Sequence, residues 1–250
     1  MVLEGGEFSS GSQWARDFSE EWWAQYGYCL SCASNRILPT PKGTPSVDFL
    51  CPRCDHPYQL KANLSGRFQC VPDGAYSKMI ECILASKTPT FLLMRYTRLR
   101  NVLDVTAVHR TLVTSDAVRR RNPTLPKGRS KEWIGCDIIL REVPPEARIG
   151  VIRDEQFLSK SGVRARFAAI ASLDQAKAED RSWTVAVLNE LHRMKRTEFT
   201  TEDAYQLIEP LAAKFPDNHH VAEKIRQQLQ ILVKRRLLVR VRRGLYRFTS

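Results

Sequence analysis

Two Cys-x-x-Cys pairs stand close together in the first quarter of the chain, Cys29-Leu-Ser-Cys32 and Cys51-Pro-Arg-Cys54, with 18 residues between them. This is the spacing of a four-cysteine zinc ribbon, in which each pair forms one knuckle and four thiolates close a tetrahedral shell. Such a shell leaves no open position for a substrate water, so the Zn2+ it implies is structural. Asp48 lies just ahead of the second knuckle, and Gln59 and Lys61 follow it on a short segment that reads as a strand. Side chains two apart on a strand share a face, so a hairpin folded at the knuckle brings Asp48 beside Gln59 and Lys61. A carboxylate, a second oxygen donor and a lysine so grouped are what hydrolysis of a phosphodiester with Mg2+ needs. Asp48 and Gln59 are the candidate magnesium ligands, and Lys61 the group that polarises the attacking water or balances phosphate charge.

Other residues near this group have simpler readings. Glu20 and Glu21 sit on an expected helix before the first knuckle and are read as an exposed helical face, although either offers a further carboxylate. Asp73 follows Pro72, but no Glu-x-Lys follows it at a suitable distance, so it is expected to cap the next helix. Cys70, Cys82 and Cys136 stand alone and are expected to be small buried hydrophobes.

The elements that must position these residues alternate in type. Val47–Leu50 and Tyr58–Lys61 read as strands, and Tyr76, Met79, Ile80, Ile83 and Leu84 recur at helical spacing. Further strands are expected at 90–96, 102–108, 134–140 and 148–152, with an amphipathic helix over 155–173. This is a mixed α/β domain. The polar stretch 172–182 is the best linker, and beyond it the order is three helices, opening near Trp183, Thr201 and Asn218, then a hairpin with Arg242, Arg243 and Gly244 at its turn. That order is the pattern of a winged helix. The expected domains are residues 1–178 and 179–250.

Charge points to the partner. The 250 residues carry 39 Lys and Arg against 27 Asp and Glu, a net charge of +12, which favours a polyanion. No apolar run approaches the roughly 18 residues that span a bilayer, and the N-terminus lacks the basic start and apolar core of a signal peptide. A cytoplasmic protein without membrane association is expected, and the odd count of 7 cysteines argues against a disulfide framework.

Taken together, Asp48 with Gln59-Leu-Lys61 around a cysteine ribbon, Asp73-Gly-Ala-Tyr76, Trp133-Ile-Gly-Cys136 and the helix Glu223-Lys-Ile-Arg-Gln-Gln-Leu-Gln-Ile-Leu232 resemble the DpnI-type methyl-directed restriction endonucleases. The likeness runs from about Trp14 to Phe248. It implies an α/β fold of the PD-(D/E)xK restriction-endonuclease type with an embedded zinc ribbon, followed by a C-terminal winged helix. It further implies a type II deoxyribonuclease that binds double-stranded DNA and cuts GATC only when its adenine carries a 6-methyl group. One position departs from the pattern: where that family has a glutamate, this chain has Gln59, whose amide oxygen binds Mg2+ more weakly than a carboxylate. Gln59→Glu is therefore expected to preserve or raise activity. The alternative reading is a catalytically weak or inactive zinc-ribbon and winged-helix regulator that binds methylated DNA.

DNA reading is assigned to two places. On the third winged-helix helix, Val221, Ile225, Leu229 and Leu232 face the core, leaving Gln227 outward with His219, His220 and Arg226 beside it. Arg and Gln make bidentate contacts to guanine and adenine edges in the major groove. Arg242 and Arg243, with Arg240 and Arg247, are the phosphate contacts of the wing. The basic, proline-rich loop containing Arg129 and Lys131 ends at Trp133, whose indole is the candidate apolar reader of the adenine methyl group. A monomer is expected.

Overall fold

The computed structural model describes residues 11–41, 43–64, 66–123 and 133–249. Helix α1 (Gly11–Tyr26) leads into the first knuckle and the short strands β1 (Leu38–Pro39) and β2 (Phe49–Leu50). Strand β3 (Pro57–Leu64) follows the second knuckle, then β4 (Cys70–Ala75), α2 (Tyr76–Leu84), β5 (Thr90–Tyr96) and β6 (Val102–Val108). Strands β7 (Val118–Arg120), β8 (Gly135–Ile139), β9 (Arg148–Arg153) and β10 (Gln156–Phe157) precede helix α3 (Lys160–Ala171).

The larger sheet has the order β1-β2-β3-β5-β6-β9-β10, antiparallel throughout except for the β3–β5 pair. That parallel pair needs a crossover, which β4 and α2 supply. On β5 Thr90 to Met94 are all buried, as expected of a central strand covered on both faces. A second sheet, β4-β8-β7, stands beside it and pairs Asp73 with Cys136. The core includes the fully buried rings of Trp23, Tyr28, Tyr58, Phe91 and Phe167.

The C-terminal part comprises α4 (Ala178–Arg193), β11 (Glu198–Thr200), α5 (Thr201–Tyr205), α6 (Ile208–Lys214), α7 (Val221–Lys234), β12 (Leu238–Arg242) and β13 (Leu245–Phe248). Its strands form a sheet of order β11-β13-β12, and the helices with the β12–β13 wing make a winged helix. Trp183 on α4 stacks on Phe215 with centroids 3.9 Å apart, and Thr184 Oγ1 donates to the buried Gln228 Oε1 at 2.8 Å. No helix of the described residues is long and apolar enough to cross a membrane.

Several elements differ from expectation. The helix expected from residue 155 starts at Lys160, because Asp154 and Glu155 adopt positive φ and turn β9 tightly into β10, with Arg153 opposite Gln156. Ser159 then caps α3 by accepting from Gly162 N. The linker is shorter than expected, since α4 already begins at Ala178, and Arg181 is buried, donating to Ile83 O at 2.9 Å and Ser86 Oγ at 2.7 Å. The second winged-helix helix is split into α5 and α6, with Thr200 and Asp203 forming a capping box at its start. Helix α7 begins at Val221 rather than Asn218, whose Oδ1 instead accepts from His220 N at 2.9 Å. Asp73 does not cap α2: Ala75 is the N-cap, and the Asp73 carboxylate accepts from Gly74 N at 2.8 Å. Of the lone cysteines only Cys136 is buried, while Cys70 and Cys82 are half-buried.

Candidate active site and nucleic-acid interface

The four cysteines converge, with all four sulfurs within 4.8 Å of one another. Cys29 Sγ lies 3.7 Å from Cys54 Sγ, and Cys32 Sγ 3.6 Å from Cys51 Sγ. Four sulfurs at about 2.3 Å from a tetrahedral zinc stand about 3.8 Å apart, so the cluster fits structural Zn2+. Backbone N–H groups of Ser34 and Arg53 point at Cys32 and Cys51 sulfur, each at 3.4 Å, as suits thiolates. Burial pushes the Cys51 thiol up, but N–H groups of Arg53 and Cys54 with the neighbouring thiols outweigh it and bring it down to about 7.

The second knuckle turns β2 back onto β3, with Phe49 opposite Tyr58, and so places Asp48 opposite Gln59. Asp48 N donates to Tyr58 O at 2.9 Å, and its Oδ2 accepts from Leu60 N at 2.8 Å, so the carboxylate itself extends the ladder beyond β2. Its Oδ1 lies 3.4 Å from Arg16 Nη2. Asp48, Gln59 and Lys61 line one cleft of about 490 Å³, walled by Arg16 and Glu20 of α1 and by Pro72. The exposed-face reading therefore holds for Glu21 but not for Glu20, which is half-buried in the cleft wall and pairs with Arg16. Hydrogen bonding to Glu20 raises the Arg16 pKa above its ordinary value.

Sequence reasoning missed one member of this group. Strand β4 carries Asp73 against β3, where its carboxylate is 3.4 Å from Lys61 Nζ and within hydrogen-bond reach of the Gln59 amide. The Gln59 amide is satisfied at both ends in one orientation: its nitrogen donates to Asp73 Oδ2 at 3.1 Å and its oxygen accepts from Lys61 Nζ at 3.3 Å. The signal available was the Pro72-Asp73 pair, which was set aside because the lysine element precedes rather than follows it. Asp48, Gln59 and Glu20 offer oxygen donors only, a set that suits a hard cation such as Mg2+.

On the winged helix, His219, His220, Arg226 and Gln227 are exposed, while Val221, Ile225, Leu229 and Leu232 are buried. Arg226 donates to Tyr205 Oη through both Nε (3.1 Å) and Nη2 (2.6 Å), which holds its guanidinium against α5. Arg240, Arg242, Arg243 and Arg247 are exposed on the wing, whose turn uses Gly244 at φ 75°. Arg129 and Lys131 lie outside the described residues. Trp133 is half-buried at the loop's exit, its ring so close to Gly135 that a Cβ there would stand 2.6 Å from it. The other stem of the loop is tied to the site: Arg121 Nη2 donates to Cys136 O at 2.8 Å and to Asp73 O at 3.4 Å.

A mixed α/β domain with a cysteine metal knuckle, joined to a winged helix with an exposed basic wing, defines a DNA-binding protein of two unlike parts. Family comparison makes this specific: residues 4–176 match the DpnI model, described as the Dam-replacing family, and residues 179–248 match its C-terminal model, the Dam-replacing HTH domain. The chain belongs to the DpnI, Dam-replacing family. Membership supports methylation-dependent restriction as its class of activity.

Proposed function

We propose that the protein is a methylation-dependent endonuclease that recognises GATC carrying 6-methyladenine and hydrolyses DNA phosphodiesters, with residues 1–178 cutting and residues 179–250 binding DNA. The observation that carries this reading is the convergence of Asp48, Gln59 and Lys61 on one cleft, set beside the cysteine knuckle that fixes the turn between their strands. Asp48 and Gln59 would hold Mg2+, which supplies Lewis-acid stabilisation of the developing phosphorane charge. Lys61 sits where its ammonium group can orient the attacking water and offset charge on the phosphate. Asp48 is pre-positioned, because its Oδ2 is fixed by Leu60 N and only the weak contact with Arg16 must yield. The exposed arginines of the wing neutralise phosphates, and α7 supplies Arg226 and Gln227 to base edges. Trp133 is the proposed methyl reader, and the protein is proposed to act as a cytoplasmic monomer. Incubation of matched adenine-methylated and unmethylated plasmids with the protein and Mg2+ tests the reading. Cutting of the methylated plasmid alone is expected. Binding of methylated DNA without cutting would establish the regulator instead.

A further inference from the structure

Gln59 stands where a carboxylate would bind the cation more strongly, yet a carboxylate is present one strand away. Asp73 is held on β4 by pairing with Cys136 on β8, and its side chain is 4% exposed. It is met by three donors: Gly74 N at 2.8 Å, Lys61 Nζ at 3.4 Å and the Gln59 amide nitrogen at 3.1 Å. Its burial and the completeness of this shell fit a supporting group better than a metal ligand.

We propose that Asp73 and Gln59 form an acid–amide pair in which the buried carboxylate fixes the amide with its oxygen turned toward Lys61 and the cleft, so that a neutral side chain serves where a glutamate otherwise would. The proposal rests on the nuclease reading and names a positioning residue for it. An unrestrained amide presents its NH2 to a cation as readily as its oxygen. Donation from the amide nitrogen to Asp73 removes that ambiguity. It also draws electron density toward the amide oxygen, because hydrogen bonds in a chain polarise one another. Lys61 closes the circuit by contacting both the Asp73 carboxylate and the Gln59 oxygen.

The pair reverses the sign expected for Gln59→Glu. A glutamate at 59 would set two carboxylates face to face at about the 3.1 Å now spanned by an amide–carboxylate hydrogen bond. Like charges so placed in a buried site disfavour each other. The single substitution therefore loses function, and restoring it requires the reciprocal change at 73, where an asparagine donates to the new glutamate.

The test compares four full-length proteins: wild type, Gln59→Glu, Asp73→Asn and the double variant. Mn2+ binding to the free protein is titrated, thermal melts are recorded at one pH, and cleavage of methylated plasmid is followed. Asp73→Asn is isosteric and keeps an acceptor for Gly74 N. Each single variant is expected to weaken Mn2+ binding roughly ten-fold or more, the usual cost of removing a supporting partner, and Gln59→Glu also to melt lower. The double variant recovers both properties. Wild-type Mn2+ affinity in Asp73→Asn, or a double variant no better than the worse single, overturns the pair while leaving the nuclease reading intact if wild type still cuts. A wild type that neither binds Mn2+ nor cuts overturns both.

Discussion

Tyr58 joins the two chemistries of the first domain. Its hydroxyl lies 3.3 Å from Cys29 Sγ and accepts from Leu30 N at 2.9 Å, while the adjacent residue on the same strand is Gln59. Burial keeps the phenol protonated well above its ordinary range, so it can donate to a Cys29 thiolate. The knuckle thus fixes the register of β3, and β3 presents Gln59 and Lys61.

Removal of the metal is expected to disturb the cleft as well as the knuckle. Elemental analysis should find about one zinc per chain, and Cys51→Ser should lower the melting temperature and abolish cleavage, because folding and metal binding are coupled. Tyr58→Phe should keep the fold but leave Leu30 N and the thiolate without their partner, a loss of about 1–3 kcal/mol. Thermal melts with and without chelator check both. An unchanged melt after zinc removal would separate the knuckle from the stability of the domain.

The cleft residues should act on chemistry and not on binding. Asp48→Asn is the informative variant, since its amide oxygen still accepts from Leu60 N while the charge is gone. Cleavage should fall by about 10²-fold or more for Asp48→Asn and for Lys61→Ala, as several kcal/mol of charge stabilisation are removed. Affinity for methylated DNA, measured in Ca2+, should change little. Full activity in either variant would remove that residue from the reaction.

Where sequence reasoning succeeded, the signal was local. The paired cysteines, the Gln59–Lys61 alternation and the apolar stripe Val221, Ile225, Leu229, Leu232 each lie within a short window whose spacing has one structural solution. It failed where a distant partner decided the outcome. Pro72-Asp73-Gly74 reads as a turn, and it becomes part of β4 only because β8, more than 60 residues later, pairs with it across a bulge between Asp73 and Ala75. The start of α3 failed for another reason. Glu155 is a good helix former, but with Asp154 it is taken up by a hairpin turn at positive φ, a demand that periodicity cannot register.

Stability should fall in mild acid for an identifiable reason. His109 is fully buried, its Nδ1 accepts from Thr111 N at 3.2 Å, and burial pushes its pKa down to about 3. His56, pushed down to about 4 by burial and Arg110, adds to the same window. Both values lie below the unfolded value of about 6.5, so below that pH the unfolded chain takes up protons that the native state refuses. Stability is complete above about pH 6.5 and declines by a few kcal/mol as pH falls toward 4. Asp174 does not share this window. Burial raises its pKa, but Arg110 and Thr111 outweigh burial and hold it below the carboxylate range, so its contribution is lost only below about pH 3.9. Denaturant midpoints between pH 7.5 and 4.5 check the sign. His109→Asn, which keeps an acceptor for Thr111 N, should be less stable at pH 7.5 and show a shallower decline, and an equally steep one would assign the acid loss elsewhere.

The division of labour on DNA is the final expectation, and the structure sharpens it through Arg226. Held by Tyr205 Oη at 2.6 Å, this guanidinium has lost part of its freedom before any DNA arrives, which favours a directed contact over a diffuse phosphate one. In the full-length protein, Arg226→Ala or Gln227→Ala should reduce discrimination between methylated GATC and altered sites by about 1–3 kcal/mol. Tyr205→Phe should reproduce a smaller part of the Arg226 loss while leaving Gln227 alone. Arg242→Ala, on the exposed wing, should instead weaken binding to all sequences alike and lower the salt slope by about 0.9. Binding titrations at several salt concentrations separate these outcomes. If the α7 variants lose affinity equally for every sequence, specificity lies with the first domain, where Trp133 against Gly135 and the stem residue Arg121 stand beside the strand that carries Asp73.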